Sequence, residues 1–204
     1  MTESTKSSGR KAGVSRRAFL KASGAAAAAA GTLQSQQALA QEQGTEIVRG
    51  TTTITLHVNG QAAELKVEPR TTLLDALRYQ LDLTGAKPVS QDGSSGASTV
   101  LIDDKLVTAS TTFAIACQGK QIKTIEGFGD KLDTVSAAFV EHDAQQCGFC
   151  TPGFVMAVRT FLNKNPRATE AEIRAGLNGN ICRCGTYANI IQAAVAVVKG
   201  GGNG

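Results

Sequence analysis

Five cysteines occur in 204 residues, and four of them fall in two short segments, Cys147-Gly148-Phe149-Cys150 and Cys182-Arg183-Cys184. Together they read C-x2-C, a long gap, then C-x-C. Four thiolates delivered by two turns can close a tetrahedral sulfur cage, and soft thiolates select iron–sulfur clusters, zinc or copper(I). Spacing alone leaves the occupant open, because a structural zinc site or two disulfides would use the same residues. The flanks say where the cage sits. Thr151-Pro152 after the first pair reads as an N-cap followed by a first-turn proline. Gly179-Asn180 precedes the second pair and Gly185 follows it. Both pairs are expected in tight turns between helices, as in a bundle whose ends pinch one cofactor.

The elements that must hold those turns are helical. Leu132, Val135, Phe139 and Val140 mark one helix. Phe154, Val155, Val158, Phe161 and Leu162 mark a second, which stops near Asn165-Pro166. Thr169-x-x-Glu172 is a capping box that opens a third, with Ile173 and Leu177. Ile190, Ile191, Ala194, Val197 and Val198 mark the last. These stripes are expected to be bundle core.

Upstream the period changes to two. Thr53 to Val58 alternates, Asn59-Gly60 is a hairpin turn signal, and Gln61 to Val67 alternates again. Thr71 is expected to cap a short helix carrying Leu73, Leu74, Leu77 and Leu81. Thr99 to Asp103 and Lys105 to Val107 read as a second hairpin, and Gln121 to Ile125 as a last strand. A mixed sheet crossed by one helix suits a β-grasp, the ferredoxin fold. The expected class is therefore α+β: a β-grasp domain over 52–128, a four-helix bundle over 129–199, a linker over 41–51 and a flexible tail over 200–204. Cys117 reads as a buried core thiol, and His57 and His142 as ordinary strand and helix residues. No general base or nucleophile constellation is present.

The formal net charge of +4 is misleading. Lys6, Arg10, Lys11, Arg16, Arg17 and Lys21 stand against Glu3 in the first forty residues, which leaves 15 basic and 16 acidic residues beyond them. That balance gives no support to a nucleic-acid or membrane-surface partner. The leader reads as a targeting segment: Arg16-Arg17 is a twin arginine, a small-residue run from Ala22 to Leu33 follows, and Ala38-Leu39-Ala40 is an A-x-A cleavage site. The apolar run is too weak for a stable membrane span. Residues 1–40 are expected to be a twin-arginine signal peptide. That route exports folded proteins to the periplasm, so a cofactor can be inserted first.

The stretches Gln146-Cys147-Gly148-Phe149-Cys150-Thr151-Pro152-Gly153 and Gly179-Asn180-Ile181-Cys182-Arg183-Cys184-Gly185-Thr186-Tyr187 resemble the second [2Fe–2S] motif of the xanthine oxidase/aldehyde oxidase family, the molybdenum hydroxylases. The likeness runs from about Thr53 to Val198 and is strongest to the small iron–sulfur subunit of a periplasmic aldehyde oxidoreductase. It implies an electron-transfer subunit without substrate chemistry of its own, and a large catalytic subunit that binds a molybdenum–pterin cofactor. An FAD subunit or another electron acceptor is implied as well. It implies Cys147, Cys150, Cys182 and Cys184 as [2Fe–2S] ligands, with Gln146 and Cys184 approaching the pterin edge. The alternative is an exported adaptor stabilised by zinc or disulfides, without redox function.

The resemblance has one large departure. Plant-type [2Fe–2S] sites use C-x4-C-x2-C…C, and the family places a first cluster in such a loop. Here Leu83-Thr84-Gly85-Ala86-Lys87, Gly93, Gly96, Thr99-Val100 and Thr124-Ile125-Glu126-Gly127 keep the frame, but Ser90, Ser95, Ser98 and Ser110 stand at the four ligand positions. An alcohol is a far weaker acid than a thiol and a harder donor. Four of them should not hold a diferric cluster at neutral pH, so one cluster is expected where the family has two. All four positions carry the isosteric residue while the loop glycines and Cys117 remain. The pattern resembles selective removal of one cluster, most simply by engineering, with a natural serine loop of another role as the alternative. A looser loop is expected.

Overall fold

The computed structural model describes residues 48–129 and 132–201. The leader, the first part of the linker and the last three residues of the tail lie outside the described residues. Among the described residues, no helix is long and apolar enough to cross a membrane.

Alternation builds the sheet. β1 (Thr52–Val58) and β2 (Gln61–Val67) pair antiparallel through Asn59-Gly60, with φ of +53° and +81°. Both central residues lie in the left-handed region, as a tight twisted hairpin demands. β3 (Thr99–Ile102) and β4 (Lys105–Thr108) form the second hairpin, and β5 (Gln121–Lys123) completes the order β2-β1-β5-β3-β4. β5 runs parallel to β1 and antiparallel to β3. The last strand is shorter than expected, because Ile125–Phe128 winds into a 3₁₀ turn.

The short helix α1 (Leu73–Asp75) continues into a wider π-helical turn, Ala76–Gln80. Its cap is Thr72 rather than Thr71, since the Thr72 hydroxyl accepts the Asp75 N–H at 3.1 Å. Thr71 instead closes the preceding turn by accepting the Glu68 N–H at 3.1 Å. The sheet and α1 bury a core that includes Leu56, Leu73, Leu77, Val100 and Cys117. The Cys117 thiol is fully buried, donates to the Phe113 carbonyl, and is shifted upward by desolvation.

Four helices follow: α2 (Thr134–Glu141), α3 (Thr151–Lys164), α4 (Glu170–Gly176) and α5 (Tyr187–Lys199). They share a second core containing Phe139, Phe154, Val158, Ile173 and Ile190. Leu132 and Val140, expected inside, are 67% and 69% exposed. α2 has only two turns, and Val135, Ala138 and Phe139 already fill its inner face. The α4 capping box is formed as expected, with Thr169 and Glu172 satisfying each other's N–H groups.

The two expected domains keep separate cores but belong to one compact unit, Val48–Gly204. All of β3 is buried, because one face meets the sheet core and α3 packs against the strand. Arg159 on α3 is 5% exposed, lies 3.7 Å over the Phe128 ring, and forms an ion pair with Asp133, which also caps α2 through the Ser136 N–H. That contact ties the end of the sheet half to the start of the bundle.

Candidate metal centre

The first half-site is the turn between α2 and α3. Asn189 on α5 holds its start, donating from Nδ2 to the carbonyls of His142 and Asp143 at 3.0 and 3.1 Å. His142 thus ends α2, and His57 lies in β1. Gly148, at φ +81°, bends the chain so that the Thr151 N–H reaches the Gly148 carbonyl. Cys150 is then already in helical geometry and occupies the cap position of α3. The expected cap, Thr151, is the first helical residue, and its buried hydroxyl has no partner.

The second half-site is the turn between α4 and α5. The Cys182 N–H donates to the Tyr187 hydroxyl at 2.7 Å, and its sulfur lies 3.1 Å from the Thr186 hydroxyl. Gly185, at φ +84°, closes the turn by donating to the Cys182 carbonyl. Cys182 is buried, Cys150 half-buried, and Cys147 and Cys184 exposed; all four are free thiols.

Folding brings these four together across the sequence gap as two pairs: Cys150 interacts with Cys182, and Cys147 with Cys184. Their environments differ. Burial, then the hydrogen bond and charge of Cys182, push the Cys150 thiol up to about 12. Burial also acts to raise Cys182, but the Thr186 hydroxyl and backbone, Cys150 and the Gly185 amide outweigh it and bring Cys182 down to about 7. Cys184 is raised, chiefly by its hydrogen bond with Cys147. The Cys150–Cys182 pair thus sets one sulfur that favours the thiolate beside one that favours the thiol.

A donor set of this kind fits a two-iron centre. Each pair offers two sulfurs, with Cys150 and Cys182 on the more buried side and Cys147 and Cys184 at the surface. Gln146, next to Cys147 in the sequence, is exposed. Phe149 and Ile181 flank the two half-sites, each 50% exposed.

The four serines also come together as two pairs. Ser90 and Ser95 hydroxyls are 2.7 Å apart, and the Ser98 hydroxyl donates to Ser110 at 3.0 Å. These oxygens consume loop amides as well: Ser95 N–H donates to Ser90, and Ser110 N–H to Ser98. Ser95 and Ser98 are 8% and 2% exposed. The loop expected to be loose is closed, because each hydroxyl joins a pair and three of them, on Ser90, Ser95 and Ser98, also accept a loop N–H.

Sequence reasoning missed how this loop meets the cysteine site. Ser95 carbonyl accepts the Ile181 N–H at 3.0 Å, and Gly96 carbonyl accepts Asn180 Nδ2 at 3.1 Å. The only sequence signal was the pair of glycines, Gly96 and Gly153, where backbones approach closely.

Residues 124–195 match the [2Fe-2S] binding domain family. The chain is 40% identical over 197 residues to the aldehyde oxidoreductase iron-sulfur-binding subunit PaoA of Escherichia coli O157:H7, spanning 88% of this chain and 86% of that protein. It is 41% identical over 154 residues to the xanthine dehydrogenase iron-sulfur-binding subunit of the same organism, spanning 73% of this chain and 96% of the relative. Quinoline 2-oxidoreductase from Pseudomonas putida 86 contains a chain of the same fold, with a TM-score of 0.70 and 38% identity, covering 74% of this chain and 96% of that one. The aldehyde oxidoreductase of Desulfovibrio desulfuricans matches with a TM-score of 0.67 and 38% identity over 72% of this chain and 17% of its own. Sharing sequence and fold to this extent, the chain belongs to the family of iron–sulfur-binding subunits of aldehyde oxidoreductases and xanthine dehydrogenases.

Proposed function

We propose that this chain relays electrons for an exported molybdenum-dependent hydroxylase through one [2Fe–2S] cluster held by Cys147, Cys150, Cys182 and Cys184. The observation behind this reading is the gathering of four free thiols, from two turns, into two pairs. When bound, such a cluster accepts and passes on one electron at a time. The chain's own residues do the rest. Thr186 and Gly185 stabilise the Cys182 thiolate, burial of Cys150 and Cys182 limits water at one side, and Cys147 and Cys184 face a partner.

That partner is a large subunit carrying the molybdenum–pterin cofactor, with Gln146 and Cys184 nearest to it. Phe149, Ile181 and Tyr187, half-exposed around the two turns, supply apolar contact area for docking. An FAD subunit or another acceptor takes the electrons onward. The substrate, an aldehyde or an N-heterocycle, is chosen by the catalytic subunit. The serine set holds no cluster, so the ferredoxin-type relay is disabled.

A visible spectrum and metal count of purified protein test the reading. Brown protein absorbing between about 400 and 600 nm, with roughly two irons per chain, is the expected result. Colourless protein with zinc, or with two disulfides, overturns it in favour of an adaptor. Export is tested separately. Arg16→Lys with Arg17→Lys should leave unprocessed protein in the cytoplasm, whereas the parent should be cleaved after Ala40 and found in the periplasm. Normal processing of the variant would remove the twin-arginine assignment.

A further inference from the structure

The serine loop lies against both halves of the cysteine site at one atom, the Gly96 carbonyl oxygen. Within the loop this oxygen accepts the Thr99 N–H at 3.2 Å and the Thr99 hydroxyl at 2.6 Å. From the C-x-C side it accepts buried Asn180 Nδ2 at 3.1 Å. Asn180 stands two residues before Cys182, and the next residue, Ile181, donates its N–H to Ser95. From the C-x2-C side, Gly153 stands three residues after Cys150 in the first turn of α3. A Cβ at Gly153 would collide with the Gly96 carbonyl oxygen and lie 3.2 Å from Asn180 Nδ2. A Cβ at Gly96, which sits at φ +66°, would lie 2.5 Å from the Gly179 carbonyl oxygen and 2.6 Å from Asn180 Nδ2. Three backbones meet here without room for a methyl group.

We propose that Asn180 is a positioning residue that sets the separation of the two sulfur pairs by anchoring the Cys182 half-site to Gly96, and that the serine loop acts as the strut for that anchor. The deduction rests on the reading that the four cysteines hold one cluster. The strut is rigid without iron. Ser90 with Ser95 and Ser98 with Ser110 close the loop through hydroxyl pairs, and Ala109 N–H donates to the Ser98 carbonyl at 3.0 Å. A loop that had to bind its own cluster before becoming ordered could not brace the second site in its absence; this one can. Loss of the electron-carrying sulfurs therefore leaves a mechanical role in place. Asn180 is suited to it because its amide donates to a buried carbonyl, a bond that water cannot replace there.

The test compares Asn180→Asp and Asn180→Ala with the parent chain, and uses Asn178→Ala, an exposed neighbour, as control. Asn180→Asp keeps the shape and turns a donor into an acceptor facing a carbonyl. In iron-loaded full chain, both Asn180 variants should shift the electron paramagnetic resonance spectrum and the reduction potential of the centre. Both properties follow hydrogen bonding and exposure of the sulfurs. Iron loss to a chelator should accelerate roughly tenfold, the loss of one buried hydrogen bond. In iron-free chain, mass-resolved thiol labelling of Cys182 should accelerate by a similar factor, while Asn178→Ala matches the parent in every readout. Should the Asn180 variants not accumulate, Thr99→Val, which removes only the hydroxyl bond to the Gly96 carbonyl, takes their place and should shift the same spectrum and labelling rate by less. Parental spectrum, potential and labelling in the variants would overturn the proposal. A parent without iron would instead sink the cluster reading, and the labelling comparison would then decide the strut by itself.

Discussion

The two halves of this molecule solve the same geometric problem with different atoms. Each gathers four side chains from separate segments into two pairs: Ser90 with Ser95 and Ser98 with Ser110 in the sheet half, Cys150 with Cys182 and Cys147 with Cys184 in the bundle. The oxygens complete one another. A hydroxyl donates and accepts strongly, so the serine cage closes on itself and on its own amides. Thiols do this weakly, and half of the cysteine set is left exposed. The sheet half is thus finished by its own chain, whereas the bundle half is built to be finished by metal.

The largest expected effect comes from converting one half into the other. Restoring cysteine at Ser90, Ser95, Ser98 and Ser110 should raise iron from about two to about four per chain and add a second paramagnetic signal. In the complex reconstituted with its catalytic subunit, the restored chain should recover turnover with the natural acceptor. The serine form should still show bleaching of its centre on adding substrate, while turning over far more slowly. If the serine form turns over as fast as the restored one, the ferredoxin-type site is not a required relay. Next in size is removal of iron. Chelation, or Cys182→Ala, should raise amide hydrogen exchange through α2 to α5 and leave β1 to β5 protected, because metal binding contributes to folding only where metal is bound. Equal loosening of both halves would show that the serine pairs do not make the sheet half self-sufficient.

The sequence made the elements legible where period and cap coincide. The first hairpin follows from alternation and Asn59-Gly60, and α4 follows from Thr169-x-x-Glu172. It made the cysteines legible as a set, because their spacing is short and their chemistry narrow. Element ends were less legible. Thr72 and Cys150 took cap positions that Thr71 and Thr151 also suited, and a neighbouring turn decided each case. The serine hydroxyl pairs, the Arg159–Asp133 contact and the Asn180 anchor depend on long-range approach. No local pattern encodes them, apart from glycines at 96 and 153 whose reason appears only when the backbones meet.

A smaller change probes the serine half from inside. Ser98→Ala removes a donor to Ser110 and the acceptor of the Ser110 N–H, at a position 2% exposed. Leaving a buried polar group without its partner should cost about 1–3 kcal/mol in chemical denaturation. The loss should be the same with and without iron, as the proposed absence of a cluster from this half requires. A loss that appears only in iron-loaded chain would mean that a metal occupies the serine cage.

The smallest effect belongs to the bundle's own local stabilisation, read in iron-free chain so that metal does not mask it. The Thr169 hydroxyl caps α4, and its removal in Thr169→Ala should cost about 1 kcal/mol. Glu172 adds a pH signature. Hydrogen bonds from the Thr169 backbone, then from its side chain, hold the Glu172 carboxyl below the usual carboxylate range. A depressed folded value means that the unfolded chain takes up its proton first as pH falls. The stabilising contribution is therefore fully present above the unfolded value and is lost as pH drops through the folded one. Thr169→Ala removes the side-chain part of that depression and keeps the backbone part. The acid-side slope of bundle stability should flatten in the variant without vanishing, and the sheet half should keep its parental pH profile. An unchanged slope would show that Thr169 caps the helix without tuning Glu172, leaving the carboxylate's depression to the backbone N–H alone.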